Sequence, residues 1–251
     1  MAVVIDYTAP PIIEIENLFK SFGSNHVLKG FSLKLWQGEN IAVMGKSGSG
    51  KSVLIKCIIG LVDIDQGTLR VLNNSIPDLN QKQLDAIRCD VGFQFQGSAL
   101  YDSMTVRENL EFPLRRHPEK LGADYNPERL VKEALEDVGL LYAIDMLPSE
   151  LSGGMKKRIA LARTLILRPK IILYDEPTSG LDPITGKEIC LLINQIQKRY
   201  CTASIVITHD LACARITSNR MVILHEGKNY AEAKFDELLV NNDPPVKAFF
   251  S

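Results

Sequence analysis

Eight residues, Gly45-Lys46-Ser47-Gly48-Ser49-Gly50-Lys51-Ser52, carry the GxxxxGK[ST] spacing of a phosphate-binding loop. The chemistry needs these types. Glycines let the backbone curl so that successive N–H groups face a phosphate chain, and a helix starting there adds partial positive charge. Lys51 supplies a mobile cation for outer phosphates, and the Ser52 hydroxyl can ligate Mg²⁺. A chance match in a chain of this length is on the order of one in a hundred at average glycine usage.

A second element is Ile171-Ile172-Leu173-Tyr174-Asp175-Glu176, an apolar strand ending in two adjacent carboxylates. Successive strand side chains point oppositely, so Asp175 and Glu176 are expected to divide the work. One supports a metal, usually through its water, while the next polarises an attacking water as general base. The third element is Leu151-Ser152-Gly153-Gly154-Met155, followed by Lys156-Lys157-Arg158 and a helical stripe of Ile159, Ala162, Leu165 and Ile166. Ser152 and two glycines at a helix start make another anion site. The chain thus holds two phosphate-directed helix starts.

Elements able to position these residues are visible in the apolar pattern. Residues 41–44, 171–174 and 204–208 are nearly continuous apolar runs, as parallel strands covered on both faces should be. Phe31, Leu33 and Leu35 alternate with Ser32 and Lys34, predicting a strand with one wet face. A helix is predicted over 51–62, directly after the phosphate loop. From 97 to 168 the character becomes helical: Asn126 can cap a helix, Pro127 suits its first turn, and Leu130, Val131, Ala134, Leu135 and Val138 form an apolar stripe. Residues 221–224 and 230–233 flank a turn at 226–228, predicting a hairpin. The tail carries Phe249 and Phe250, which are expected to dock at an unspecified place. No repeat of 20 to 50 residues and no low-complexity block is present.

Composition narrows the class. The 251 residues are 45% hydrophobic and 24% charged, a globular balance. Lys and Arg number 29 against 30 Asp and Glu, a formal net charge of −1, so no bulk positive field favours nucleic acid or anionic lipid. The longest stretch free of Asp, Glu, Lys and Arg, 91–101, is too short to cross a bilayer. The first basic residue is Lys20, so no secretory signal is expected. Cys57, Cys89, Cys190, Cys201 and Cys213 are widely spaced without a CxxC pair, consistent with reduced thiols.

Taken together, the motifs resemble the ATP-binding subunit of ABC transporters over nearly the whole chain, with LSGGM at 151–155 similar to that family's signature. The resemblance implies an α/β phosphate-loop NTPase fold, in one domain spanning 1–251. Residues 1–96 and 169–251 would form the core with an antiparallel β subdomain, and 97–168 an inserted helical signature subdomain. It implies an ATPase using ATP and Mg²⁺, with Ser52, Gln96 and Asp175 toward the metal. Glu176, His209 and Gln96 are the implied catalytic residues: Glu176 the base, His209 the switch histidine, and Gln96 the loop residue sensing metal and attacking water. Gly45 to Ser52 would hold the phosphates, and Phe22, where the family usually has Tyr, would stack on adenine. Ser152, Gly153, Gly154 and Asp182 would close over the nucleotide of a second copy in a head-to-tail dimer. His26, His117 and His225 match no motif.

Within the family the chain is most similar to ATPases of the Mla type, which traffic phospholipids. The segments Phe95-Gln96-Gly97-Ser98-Ala99-Leu100-Tyr101, Glu111-Phe112-Pro113-Leu114-Arg115, LSGGM and Gly180-Leu181-Asp182-Pro183-Ile184-Thr185-Gly186 carry that likeness. It implies integral-membrane permease partners, a periplasmic lipid-binding protein, a small accessory subunit, and a place at the cytoplasmic face of the inner membrane. Alternatives with the same fold are importers of amino acids or metals and a lipoprotein-releasing exporter. A soluble ABC ATPase acting on DNA or ribosomes would need a long coiled coil or a second cassette. Neither pattern is present in the sequence.

Overall fold

In a computed structural model, described for residues 4–122 and 125–250, two kinds of apolar pattern give two kinds of sheet. Alternating strands β1 (Ile13–Phe22), β2 (Asn25–Leu35), β4 (Gln66–Val71) and β5 (Asn74–Ser75) form an antiparallel sheet in the order β2-β1-β4-β5. On β2 the side chains of Phe31, Leu33 and Leu35 are buried while Lys34 is exposed, as the alternation predicts. The continuous runs become β3 (Asn40–Met44), β7 (Ile171–Asp175) and β8 (Ala203–Thr208). They join β6 (Val91–Gln94), β9 (Arg220–His225) and β10 (Lys228–Ala233) in a six-stranded sheet ordered β10-β9-β3-β8-β7-β6. Only the β9–β10 hairpin is antiparallel.

The period-2 geometry of β7 divides two cores. Ile171 and Leu173 face the cluster shared with the antiparallel sheet and α1 (Lys51–Ile58). Ile172 and Tyr174 face the opposite cluster, built with α3 (Val106–Arg116), α4 (Pro127–Asp137), α5 (Gly153–Leu165) and α6 (Pro183–Tyr200). Each such buried Ile or Leu contributes about 1.5–3 kcal/mol. The remaining helices are α2 (Gln81–Asp90), α7 (Leu211–Thr217), α8 (Phe235–Leu239) and α9 (Pro244–Lys247). Capping follows the sequence: the Asn126 side chain accepts from Arg129 N at 3.1 Å with Pro127 in the first turn of α4.

One boundary departs from the sequence reading. α1 stops at Ile58 rather than Val62 because Gly60 adopts φ +63°. Gly60 N then bonds Cys57 O at 2.9 Å and Leu61 N bonds Lys56 O at 2.8 Å, closing the helix with a Schellman turn.

Strand register sets the site. Met44 lies opposite Thr208, Ile207 opposite Asp175, and Tyr174 opposite Gln94. The parallel strands therefore end at a common edge, where the chain leaves as four loops. This is the edge at which open α/β sheets hold ligands. The two sheets are clamped by Arg220 of β9, whose Nη2 donates to Lys34 O on β2, while the fully buried Glu39 just before β3 accepts from its Nε at 2.8 Å and Nη2 at 3.1 Å and from the Tyr7 hydroxyl at 3.2 Å.

Candidate active site

The loops at that edge enclose a cavity of about 810 Å³. Its walls include Phe22, Gly45, Lys46, Ser47, Gly48, Gly50, Lys51, Ser52, Gln96, Asp175, Glu176 and His209. Phe22 and His209, 187 positions apart in sequence, are thus brought to one place. Gly50 caps α1 at φ +104°, a left-handed conformation in which an added β-carbon would also meet Val27 Cγ1 at 2.8 Å, so a side chain is disfavoured twice. The α1 N-terminus therefore opens into the cavity without a side-chain cap.

Ser49 is the exception within the loop. Its N–H donates to Lys46 O at 3.1 Å, and its hydroxyl is buried without a partner rather than on the cavity wall. Lys51 Nζ curls back to donate to Gly45 O at 2.7 Å and Lys46 O at 3.1 Å. Burial lowers its pKa from the usual lysine value, against the pull of Glu176 and Asp175. Those two carbonyls hold the ammonium against the loop on the cavity wall.

The two carboxylates correct one expectation. Both line the same cavity, so pleat alternation does not separate them. The strand ends at Asp175, and Glu176 turns into the left-handed region at φ +50°, a strained conformation for a side chain with a β-carbon. Glu176 N bonds Ile207 O at 2.8 Å, and Glu176 Oε2 meets His209 Nδ1 at 2.8 Å. Burial, with Glu176 alongside, raises the Asp175 pKa from the ordinary aspartate value, while Lys51 and a hydrogen bond from Ser52 oppose the rise.

These oxygens suit a hard divalent cation. Asp175, its partner Ser52, and Gln96 all line the cavity, a set of oxygen-bearing residues that matches Mg²⁺ held through oxygen ligands, waters and substrate phosphates. No cluster of three His, Cys, Asp or Glu suited to a soft or protein-caged metal is present among the described residues.

The Gln96 loop is itself strained, with Ser98 at φ +61° and Ala99 at φ +51°. Arg163 of α5 holds it, donating to Ala99 O at 2.8 Å and Ser98 O at 3.4 Å. Phe22, half exposed at the end of β1, carries Lys20 Nζ 5.3 Å from its ring centroid.

Ser152, Gly153, Gly154 and Asp182 lie outside this cavity. Ser152 is exposed and caps α5, accepting from Met155 N at 3.2 Å. Asp182 caps α6, accepting from Ile184 N and Thr185 N at 3.0 Å each. Val27, Asn25 and Phe249 also line the cavity, and no local pattern marks them. The tail aromatics divide: Phe249 reaches the cavity, and Phe250 packs edge-on to Phe235 at 5.6 Å.

Comparison with known proteins decides among phosphate-loop enzymes. The ABC transporter family model matches residues 28–179, more than half of the chain. The chain belongs to the ABC transporter family. It is an ATP-binding cassette and an ATPase. It is similar to the methionine import ATP-binding protein MetN of Campylobacter jejuni, 37% identical over 95% of this chain and 75% of that one. It is also similar to the protein trigalactosyldiacylglycerol 3, chloroplastic, of Arabidopsis thaliana, 36% identical over 95% of this chain and 73% of that one. A dimeric ATP-binding cassette in a post-hydrolysis state, bound to ADP and phosphate, superposes with a TM-score of 0.78 at 32% identity, covering 89% of this chain and 98% of that one. No helix among the described residues of this cassette is long and apolar enough to cross a membrane.

Proposed function

We propose that the cassette hydrolyses ATP held between two of its own copies and so drives a membrane-embedded partner. The observation that carries this reading is the separation of its two anion-directed helix starts. The phosphate loop opens into the cavity with Asp175, Glu176 and His209, whereas Ser152 and Gly153 stand exposed elsewhere with Gly154 half-buried behind them. A head-to-tail pair joins one copy's loop to the other's signature, and the dimeric relative bound to ADP and phosphate supports that arrangement.

In this reading the backbone of Gly45 to Ser52 and the Lys51 ammonium bind the phosphates, and Phe22 stacks on the base. Ser52, Asp175 and Gln96 hold Mg²⁺, which supplies charge neutralisation at the phosphates. Glu176 takes the proton of the attacking water while His209 fixes its carboxylate; Gln96 orients that water. The cassette divides into a core of residues 1–96 and 169–251 and a helical unit of 97–168, which carries the signature toward the partner copy. Ser152→Arg should abolish turnover while leaving nucleotide binding to the single copy within about twofold. Steady-state hydrolysis and titration with a fluorescent nucleotide check both; retained turnover rejects the shared site.

A groove of about 340 Å³ lined by Phe95, Tyr101, Phe112, Pro113 and Arg163 supports a permease dock, because aromatic side chains stand exposed there between polar neighbours. The permease would place the cassette on the cytoplasmic face of the inner membrane. The cargo reading is phospholipid or a related lipid, supported by the segments at 95–101 and 111–115 that line this groove and by the galactolipid-named relative. A periplasmic lipid-binding protein and a small accessory subunit would complete that system. The methionine-import relative favours a second reading, an amino-acid importer. Stimulation of ATPase activity in the reconstituted complex by phospholipid rather than methionine separates them.

A further inference from the structure

Lys157 is a buried cation, 6% exposed, that lines no part of the cavity. It sits in the second turn of α5, on the helix begun by Ser152. Its Nζ donates to the backbone carbonyl of Gln96 and, at 3.4 Å, to the hydroxyl of Ser179. Its own carbonyl accepts from Gln94 Nε2 at 3.3 Å, at the end of β6. One residue therefore touches the signature helix, the Gln96 loop and the segment between Glu176 and Asp182.

That last segment reaches further. Ser179 N bonds Glu176 O at 3.1 Å, and the Thr178 hydroxyl donates to Asp210 at 3.2 Å, beside His209. Both acceptors of the Lys157 ammonium are neutral oxygens. Burial disfavours its charged form, and only the more distant carboxylates Asp175 and Glu176 favour it. A buried ammonium that loses an acceptor must regain one, because leaving it unsatisfied costs more than the hydrogen bond gained. Displacing any of the three segments alone is thereby penalised.

We propose that Lys157 is a positioning residue that ties the Gln96 loop, the signature helix and the Ser179 segment together, so that nucleotide engagement at one is transmitted to the others. This coupling presupposes the shared ATP site proposed above. Arg163 holds the far side of the same loop, at residues 98, 99 and 101, so among the described residues Lys157 is the side chain that joins Gln96 itself to Ser179.

The test uses the full chain with Lys157→Met, which keeps the bulk and removes the charge, and Lys157→Arg, which restores a donor. Without nucleotide, amide exchange of residues 95–99 should accelerate about tenfold in the Met variant while residues 159–162 of α5 stay protected. In hydrolysis the Met variant should lose about tenfold in kcat with KM within about twofold, and the Arg variant should recover much of the loss. Unchanged exchange at 95–99, faster exchange throughout the chain, or a kcat equal to the wild type each overturns the coupling. A wild-type chain that hydrolyses no ATP even with its permease rejects the ATPase dimer reading instead, and the exchange comparison still decides the tie.

Discussion

Asp175 and Lys51 share the cavity wall, and burial moves them in opposite directions: the carboxyl rises from its ordinary pKa and the ammonium falls. Both shifts mean that the site's own charges are held at a cost to folding. For Asp175 that cost is full above the raised folded value, shrinks as pH falls from there toward the ordinary aspartate pKa, and is gone below the ordinary value, where the carboxyl is protonated in either state. Asp175→Asn should therefore stabilise the nucleotide-free chain at neutral pH and lose that advantage in acid, while turnover falls. Urea midpoints at the two pH values measure it, and an advantage that persists in acid contradicts the assignment. Glu176→Gln removes the proposed base but keeps the volume; hydrolysis should fall by about 10²–10⁴ with ATP still bound. Single-turnover kinetics check this. The acidic pair was legible from its place at the end of an apolar run, but the left-handed turn at Glu176 was not, because it depends on the loop packing against β8.

At the scale of elements, local signals read well where one side chain does the job. Asn126 accepts the first N–H groups of α4, and the apolar run of β7 lies in the parallel sheet. The end of α1 was misplaced because apolar periodicity runs through Ile59 to Val62, whereas Gly60 terminates the helix by its backbone freedom. The clamp between sheets was invisible, since Arg220 lies 186 positions from Lys34 and 181 from the Glu39 carboxylate that holds it. Arg220→Met should destabilise the chain by roughly 3–5 kcal/mol, the cost of leaving a buried carboxylate uncompensated. Chemical denaturation measures it; a loss below about 1 kcal/mol, as for a surface pair, would show that the clamp is solvated.

The whole molecule presents half of each proposed catalytic chamber. If the halves meet head to tail, Ser152→Arg and Lys51→Ala damage opposite faces of the pair. Each alone should be inactive, yet their mixture should recover on the order of a quarter of wild-type turnover, because mixed pairs retain one intact site under twofold symmetry. Mixing the purified variants before the ATPase measurement checks it, and no recovery above the separate variants argues for sites within one copy. The sequence by itself determined the phosphate loop, the acidic strand end, the signature and the α/β class, because each is encoded within a few consecutive residues whose chemistry or periodicity is local. Only the tertiary structure decided that strand register aligns Met44, Thr208, Asp175 and Gln94, that Ser152 stands apart from Lys51, and that Lys157 joins Gln96 to Ser179. Those relations come from closing long loops and burying charge against distant partners, which no short window of sequence contains.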